Sequence, residues 1–221
     1  HPTTPSVTDT CAVQTSTVAE PLQVADFDGL GVAAIATADD FSLALLDDGK
    51  VYAWGQGIVG AGIATSASPA IQVATGATAV SAGCGFALML LSSGAVLGVG
   101  SLGLNSSALT SVSLGVYSIA GLPFASAIAA GCQHALVIES GTGTIYAWGS
   151  NDAGQLGAPP SDLGGDGSSW QLPYALNTSW MGAATAVAAG RYHSLALRAS
   201  DGHVCAWGSN VRLQLSSVMV A

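Results

Sequence analysis

Lysine is almost missing from this 221-residue sequence: Lys50 is its one example, and Arg191, Arg198 and Arg212 are the remaining cations. Thirteen Asp and Glu stand against those four, for a net charge of −9 and a pI near 4.3. A phosphate backbone is held by neutralising it with Lys and Arg, so nucleic acid and anionic membrane are poor partners. Charge of either sign is scarce as well, with no Asp, Glu, Lys or Arg from Val51 to Ile138. Part of that stretch, GCGFALMLLSSGAVLGVGSLGL at Gly83–Leu104, is apolar enough to pass a membrane window. Glycines and serines break it, and it aligns with charged segments on either side. Strands buried on both faces also read as continuous apolar runs, so no membrane insertion is expected.

Recognised chemistry is missing too. No P-loop, zinc spacing or dinucleotide fingerprint occurs. His193-Ser194 lacks the surroundings of a nucleophile elbow. Asp162 and Asp166 in SDLGGDGSSW cluster oxygens of the kind Ca²⁺ takes, but off EF-hand spacing, and read as a solvated insertion. The sequence therefore predicts no catalytic residue, no metal, no cofactor and no enzymatic activity. No segment carries sustained helical periodicity with caps.

What is present is repetition. Ile35–Leu45 (IATADDFSLAL), Val80–Leu90 (VSAGCGFALML), Ile128–Ile138 (IAAGCQHALVI) and Val187–Leu197 (VAAGRYHSLAL) superpose, with starts 45, 48 and 59 residues apart. Each is followed by a turn containing Gly49, Gly94, Gly143 or Gly202, then by VYAWG, VLGVG, IYAWG or VCAWG. Short runs read as strands upstream of each unit: PLQVA from Pro21, PAIQVA from Pro69 and LPYAL from Leu172. Short strands with Gly-rich turns at this period indicate a propeller blade or solenoid coil, and one blade cannot cover its own apolar faces. Trp54, Trp148 and Trp207 share one repeat position, where a ring can fill the wedge between blades for roughly 2–4 kcal/mol. Val99 replaces Trp in the second repeat.

The pattern G-x-x-H-[SA]-L-x-L, turn, [VI]-Y-A-W-G-x-N-x-x-G-Q-L-G resembles the repeat of the RCC1 (regulator of chromosome condensation) family. Gly131–Ile138 with Ile145–Gly157, and Gly190–Leu197 with Val204–Asn210, carry the match; Phe41 and Phe86 take the His position in the first two repeats. The resemblance implies an all-β, RCC1-like propeller of four-stranded blades. Family members typically have seven, and this chain supplies about four, so a closed propeller or an open arc is expected. The repeats fall at about 21–68, 69–111, 112–170 and 171–215, with an extended arm at 1–20 and a trailing strand at 216–221. His134 and His193, recurring in a scaffold motif beside Gly131 and Gly190 (Gly83 in the second repeat), read as structural.

Cys84 and Cys132 hold equivalent positions in successive repeats, where adjacent blades approach near the axis and a bridge is geometrically possible. Cys11 and Cys205 then remain, which is one of three connectivities; four free thiols are the alternative. Asn105 and Asn177 begin N-glycosylation sequons. The sequons, the even cysteine count and the start at His1 together predict a secreted glycoprotein. Cys11–Ser16 loosely matches the last strand of a repeat, and SSVMVA at the end matches a first strand. Terminal strand exchange within one chain or between copies is therefore expected, the latter giving an oligomer or a filament. The function expected is extracellular structural assembly. The alternative is a secreted protein-binding or inhibitory module working through face loops, as in β-lactamase inhibitory proteins of similar fold.

Overall fold

The computed structural model describes residues 24–55, 67–104, 109–113, 115–158, 169–176, 179 and 181–216. Blade 1 consists of β1 (Val32–Thr37), β2 (Phe41–Leu46), β3 (Val51–Gly55) and β4 (Ala67–Ala74), paired in that order. Blade 2 contains β5 (Ala77–Ala82), β6 (Phe86–Leu91), β7 (Val96–Gly100), β8 (Leu109–Ser113) and β9 (Val116–Ile119), in the order β5-β6-β7-β9-β8. Blade 3 is β10 (Ala125–Ala130), β11 (His134–Glu139), β12 (Ile145–Ser150) and β13 (Ser169–Ala175). Blade 4 is β14 (Ala184–Ala189), β15 (His193–Arg198) and β16 (Val204–Gly208). One 3-10 turn, Ala25–Phe27, precedes β1, and no α-helix occurs among the described residues.

All pairings are antiparallel, and the register repeats. Phe41, Phe86, His134 and His193 lie opposite Gly55, Gly100, Gly149 and Gly208. These second glycines take positive φ, 99° at Gly149, and a β-carbon there would strike the carbonyl of Gln133. Only glycine accepts both the conformation and the close approach. The glycine that ends the third strand of each repeat is thus a packing requirement.

The first strands β1, β5, β10 and β14 neighbour one another in turn, which makes them the inner strands around the axis. Alternation along each strand sends one row of side chains to each neighbouring blade. Leu43, Leu45, Val51 and Ala53 of blade 1 meet Ala87, Met89 and Val99 of blade 2. Leu88, Leu90 and Val96 of blade 2 meet Ala135, Val137 and Trp148 of blade 3. Leu136, Ile138 and Ile145 of blade 3 meet Ala184 and Ala196 of blade 4, with Cys205 and Trp207 packed alongside. Fully burying each such Leu, Ile or Val contributes about 1.5–3 kcal/mol. Backbone bonds join the blades as well: the turn carbonyls of Gly49, Gly94 and Gly143 accept from the N–H groups of Ala77, Ala125 and Ala184 that begin the next inner strand.

Two expectations about strands change. The strands at Pro69 and Leu172 are the outermost strands of blades 1 and 3, paired to the preceding WG strand, and not the upstream strands of the following repeats. The reason is hairpin geometry, since a chain leaving β3 or β12 returns antiparallel along the edge it has just made. Blade 2 has five strands, because β8 adds outside β9, and blade 4 has three among the described residues. Gly83–Leu104, the apolar window, forms β6, β7 and their turns. The arm at 1–20 and the trailing residues Val218–Ala221 lie outside the described residues, as do Asp162 and Asp166.

Candidate functional site

The repeated glycine and the ring three residues later form one unit. A β-carbon on Gly131 or Gly190 would collide with the imidazole of His134 or His193, and one on Gly83 with the ring of Phe86. Each ring occupies the space a side chain on its glycine would need, at the end of an inner strand. These strand ends, including Ala38, Gly83, Gly131 and Gly190, line an axial hollow of about 440 Å³, with Asp39 and Arg191 on its walls. Cys84 and Cys132 also reach it and are joined by a disulfide between blades 2 and 3. Cys205 is a free thiol, against the bridge to Cys11 that the cysteine count allowed. Its side chain is partly buried against the apolar cluster between blades 3 and 4. Cys11, Asn105 and Asn177 lie outside the described residues.

Between blades 3 and 4 the repeat residues converge on one carbonyl. Ser194 Oγ donates to the Gln155 carbonyl at 2.7 Å, and Trp207 Nε1 donates to the same oxygen at 2.9 Å. His134 Nε2 lies 2.9 Å from Ser194 Oγ. Because Ser194 gives its proton to Gln155, His134 carries its proton on Nε2 and leaves Nδ1 as a buried lone pair without a partner. Burial, with repulsion from His193, lowers its pKa to about 4, so the ring is neutral at physiological pH. The arrangement differs from an oriented nucleophile and base: Ser194 is wholly buried, and among the described residues no carboxylate bonds the imidazole Nδ1. His193, next to Ser194 in sequence, is not its partner, because successive strand residues point to opposite faces. Gln155 was missed; its signal is the QL dipeptide that recurs at Gln214-Leu215.

Gln155 is held by its own turn. Asn151 Oδ1 accepts from Leu156 N (2.9 Å), Gln155 Oε1 accepts from Ala153 N (2.9 Å), and Gln155 Nε2 donates to Ser150 Oγ (3.0 Å). The same three bonds recur after β16. Asn210 Oδ1 accepts from Leu215 N (3.0 Å), Gln214 Oε1 accepts from Arg212 N (2.7 Å), and Gln214 Nε2 donates to Ser209 Oγ (3.1 Å). There Leu213 and Ser216 take φ of 60° and 66°, in the places of Gly154 and Gly157. Non-glycine residues in that region cost about 1 kcal/mol or more each, so the bonded side chains hold the turn in shape without its glycines.

The end faces of the array differ from the internal ones. Val204 is 67% exposed, whereas its equivalents Val51, Val96 and Ile145 are buried; Leu197 is exposed where Leu45, Leu90 and Ile138 are buried. On blade 1, Ile35 is 73% exposed, although Val80, Ile128 and Val187 at the same position pack against a preceding blade. Trp148 is completely buried, with Nε1 on the Leu102 carbonyl at 2.9 Å. Trp54 is half-buried, and among the described residues its ring contact is with Phe27, at 5.3 Å.

Models of the regulator of chromosome condensation (RCC1) repeat match residues 32–60, 125–155 and 184–214, and a second model of the repeat matches 142–197. The chain belongs to the RCC1 repeat family. It is 39% identical over 111 residues to the Drosophila melanogaster regulator of chromosome condensation, across 50% of this chain and 18% of that protein. Among solved structures it resembles yeast RCC1 (Prp20) bound to Kap60, with a TM-score of 0.68, 21% identity, and coverage of 82% of this chain and 44% of that one. Saccharomyces cerevisiae Prp20p, studied for binding to Gsp1p and histones, gives 0.65 at 22% identity, over 81% and 46% of the two chains. Human WBSCR16 gives 0.66 at 21%, over 82% and 48%. The chain thus spans less than half the length of these RCC1-type proteins, and the fold is that of an open propeller arc.

The expectation of a secreted, extracellular protein is corrected by the same relatives. One is a regulator of chromosome condensation and another binds histones, which are chromosomal associations rather than extracellular ones. Sequons arise easily by chance in a chain rich in Ser and Thr, and an even cysteine count is weak evidence of compartment.

Proposed function

We propose that this RCC1-repeat chain is a non-enzymatic protein-binding module suited to a basic protein partner. Charge is the observation that carries the partner's class. Blade 1 and the turn before it present six exposed aspartates, Asp26, Asp28, Asp39, Asp40, Asp47 and Asp48, with Lys50 as the one cation in that region. Such a surface attracts a basic protein and steers its approach, while it repels the DNA backbone. Histone binding by Prp20p, a protein of similar fold, is consistent with this chemistry. Titration of the chain with core histones at rising salt is the test. Binding that weakens with salt, and weakens further when Asp39, Asp40, Asp47 and Asp48 are changed to Asn, is the expected outcome. Absence of binding at low salt, or indifference to the four substitutions, removes the proposal.

Self-association is a second reading, favoured by the exposed apolar end faces of blades 1 and 4. Exchange of terminal strands, extending into a filament, was the route the sequence suggested.

A further inference from the structure

The turn between the first and second strands of each blade carries one residue at the same place: Asp39, Cys84, Cys132 and Arg191 in blades 1 to 4. All four line the axial hollow. The residue before each draws neighbouring turns together. A β-carbon on Gly83 would strike the Gly131 carbonyl, and one on Gly131 would strike the Gly190 carbonyl. Arg191 therefore stands to Cys132 as Cys132 stands to Cys84, one blade further round, and Asp39 stands on the far side of Cys84. The row is positive beside Cys132 and negative beside Cys84.

The bridge between the two sulfurs is open to solvent from two sides. Both cysteines are half-buried, and besides the axial hollow they line a second one of about 560 Å³, with Ser101, Gln133 and the carboxylate of Asp152. The apolar cluster that joins blades 2 and 3 lies apart from them, around Leu88, Val137 and Trp148. Hydrogen bonds cross the same boundary: Cys84 N–H to the Cys132 carbonyl (3.1 Å), Ala125 N–H to the Gly94 carbonyl (2.7 Å) and Ala130 N–H to Ser81 Oγ (2.9 Å). None of these contacts needs the sulfurs joined, so the bridge can open in a folded chain.

We infer that Cys84 and Cys132 are a reversible thiol–disulfide pair that exchanges with a small thiol of the glutathione class, and that Cys132 is the sulfur released and used again. A glutathione thiolate attacks Cys84 Sγ. A new S–S bond forms there, the Cys84–Cys132 bond breaks, and its electron pair leaves on Cys132 as a thiolate. Arg191, whose guanidinium lies 5.3 Å from the centroid of the Tyr192 ring, sets a positive charge at the wall of the hollow beside that anion. A stabilised thiolate leaves faster, whereas Asp39 disfavours the same charge on Cys84. A second glutathione thiolate then attacks the glutathione sulfur of the mixed disulfide and releases Cys84. The products are the protein dithiol and glutathione disulfide, and the protons given up by the two glutathione thiols go to the two cysteines. Oxidation runs the same steps backwards, with the Cys132 thiolate closing the bridge on glutathione-bearing Cys84.

Equilibration of the full chain in glutathione buffers from oxidising to reducing tests this, with acid quench, alkylation and peptide mass mapping. Cys84 and Cys132 are expected to pass together and reversibly between bridged and alkylated forms, while the circular dichroism stays that of the β fold. Single-thiol variants read the order of the sulfurs. In the native state Cys132 of Cys84→Ser should react with iodoacetamide at least about threefold faster than Cys84 of Cys132→Ser. Arg191 is exposed, and Arg191→Gln added to Cys84→Ser should remove that advantage. A bridge that stays closed in the most reducing buffer, or opens only as the circular dichroism is lost, overturns the inference. A serine variant that fails to fold counts the same way, because the opened chain is then not a folded one. Equal rates at the two sulfurs, a faster Cys84, or indifference to Arg191→Gln overturns it as well.

Discussion

Trp148 and Trp54 stand at the same register position of blades 3 and 1, each in the sequence YAWG, each followed by a glycine of positive φ. Trp148 has blade 2 in front of it and gives its N–H to the Leu102 carbonyl; among the described residues the ring against Trp54 is Phe27. The same contrast separates Val204 from Ile145, and Gln214 from the wholly buried Gln155. A repeat residue therefore has no fixed energetic weight. Its neighbour supplies most of the burial, and an end blade carries the residues of an interface without the interface.

The largest test of that comparison is removal of the rings. Trp148→Ala should cost about 3–5 kcal/mol in denaturant unfolding, as for a large core aromatic, with Trp207→Ala intermediate and Trp54→Ala the mildest. Equal losses at Trp148 and Trp54 would break the distinction between internal and end blades. Next comes the bridge that ties blades 2 and 3 near the axis, Cys84–Cys132, which closes a 48-residue separation. Its reduction should lower stability by about 2–4 kcal/mol, read from urea midpoints with and without reductant.

Acid should act at the internal node of blades 3 and 4. The His134 pKa is depressed to about 4 in the folded chain from 6.5, so between these values the unfolded state binds the extra proton. The contribution is complete above pH 6.5 and is lost as pH falls through 4, by on the order of 3 kcal/mol. His134→Phe, which copies blades 1 and 2, should flatten that part of the pH profile. An unchanged slope in the variant assigns the acid sensitivity elsewhere.

The smallest effect sharpens the comparison of the two Gln turns. Gly154→Ala should cost only about 1 kcal/mol, because Leu213 already holds the equivalent left-handed conformation and a β-carbon at Gly154 meets nothing. Gly149→Ala should cost clearly more, since its β-carbon meets backbone. Thermal melts of the two variants side by side would show the difference.

Much of the fold was legible because its cause is local and repeated. Alternating apolar residues, the Gly-containing turn and the WG glycine each act within a few residues, and fourfold recurrence made the period plain. Assignment of the strands at Pro69 and Leu172 failed because sequence order does not say which sheet edge a connecting strand joins. The Gln155 node was missed for a related reason: the QL dipeptide marks the turn, but the acceptor is a main-chain carbonyl, and backbone atoms are the same in every sequence.

The amino-acid sequence alone determined the β architecture, the RCC1-type repeat and the acidic surface, since periodicity, turn chemistry and charge are properties of the chain itself. Tertiary structure alone decided which copies of a repeated residue are buried. His134 and His193, or Trp148 and Trp54, are alike in sequence, and burial and hydrogen bonding follow from the presence or absence of the next blade. That neighbour is fixed by packing in space, because the same apolar face is core where a blade follows and open surface where none does.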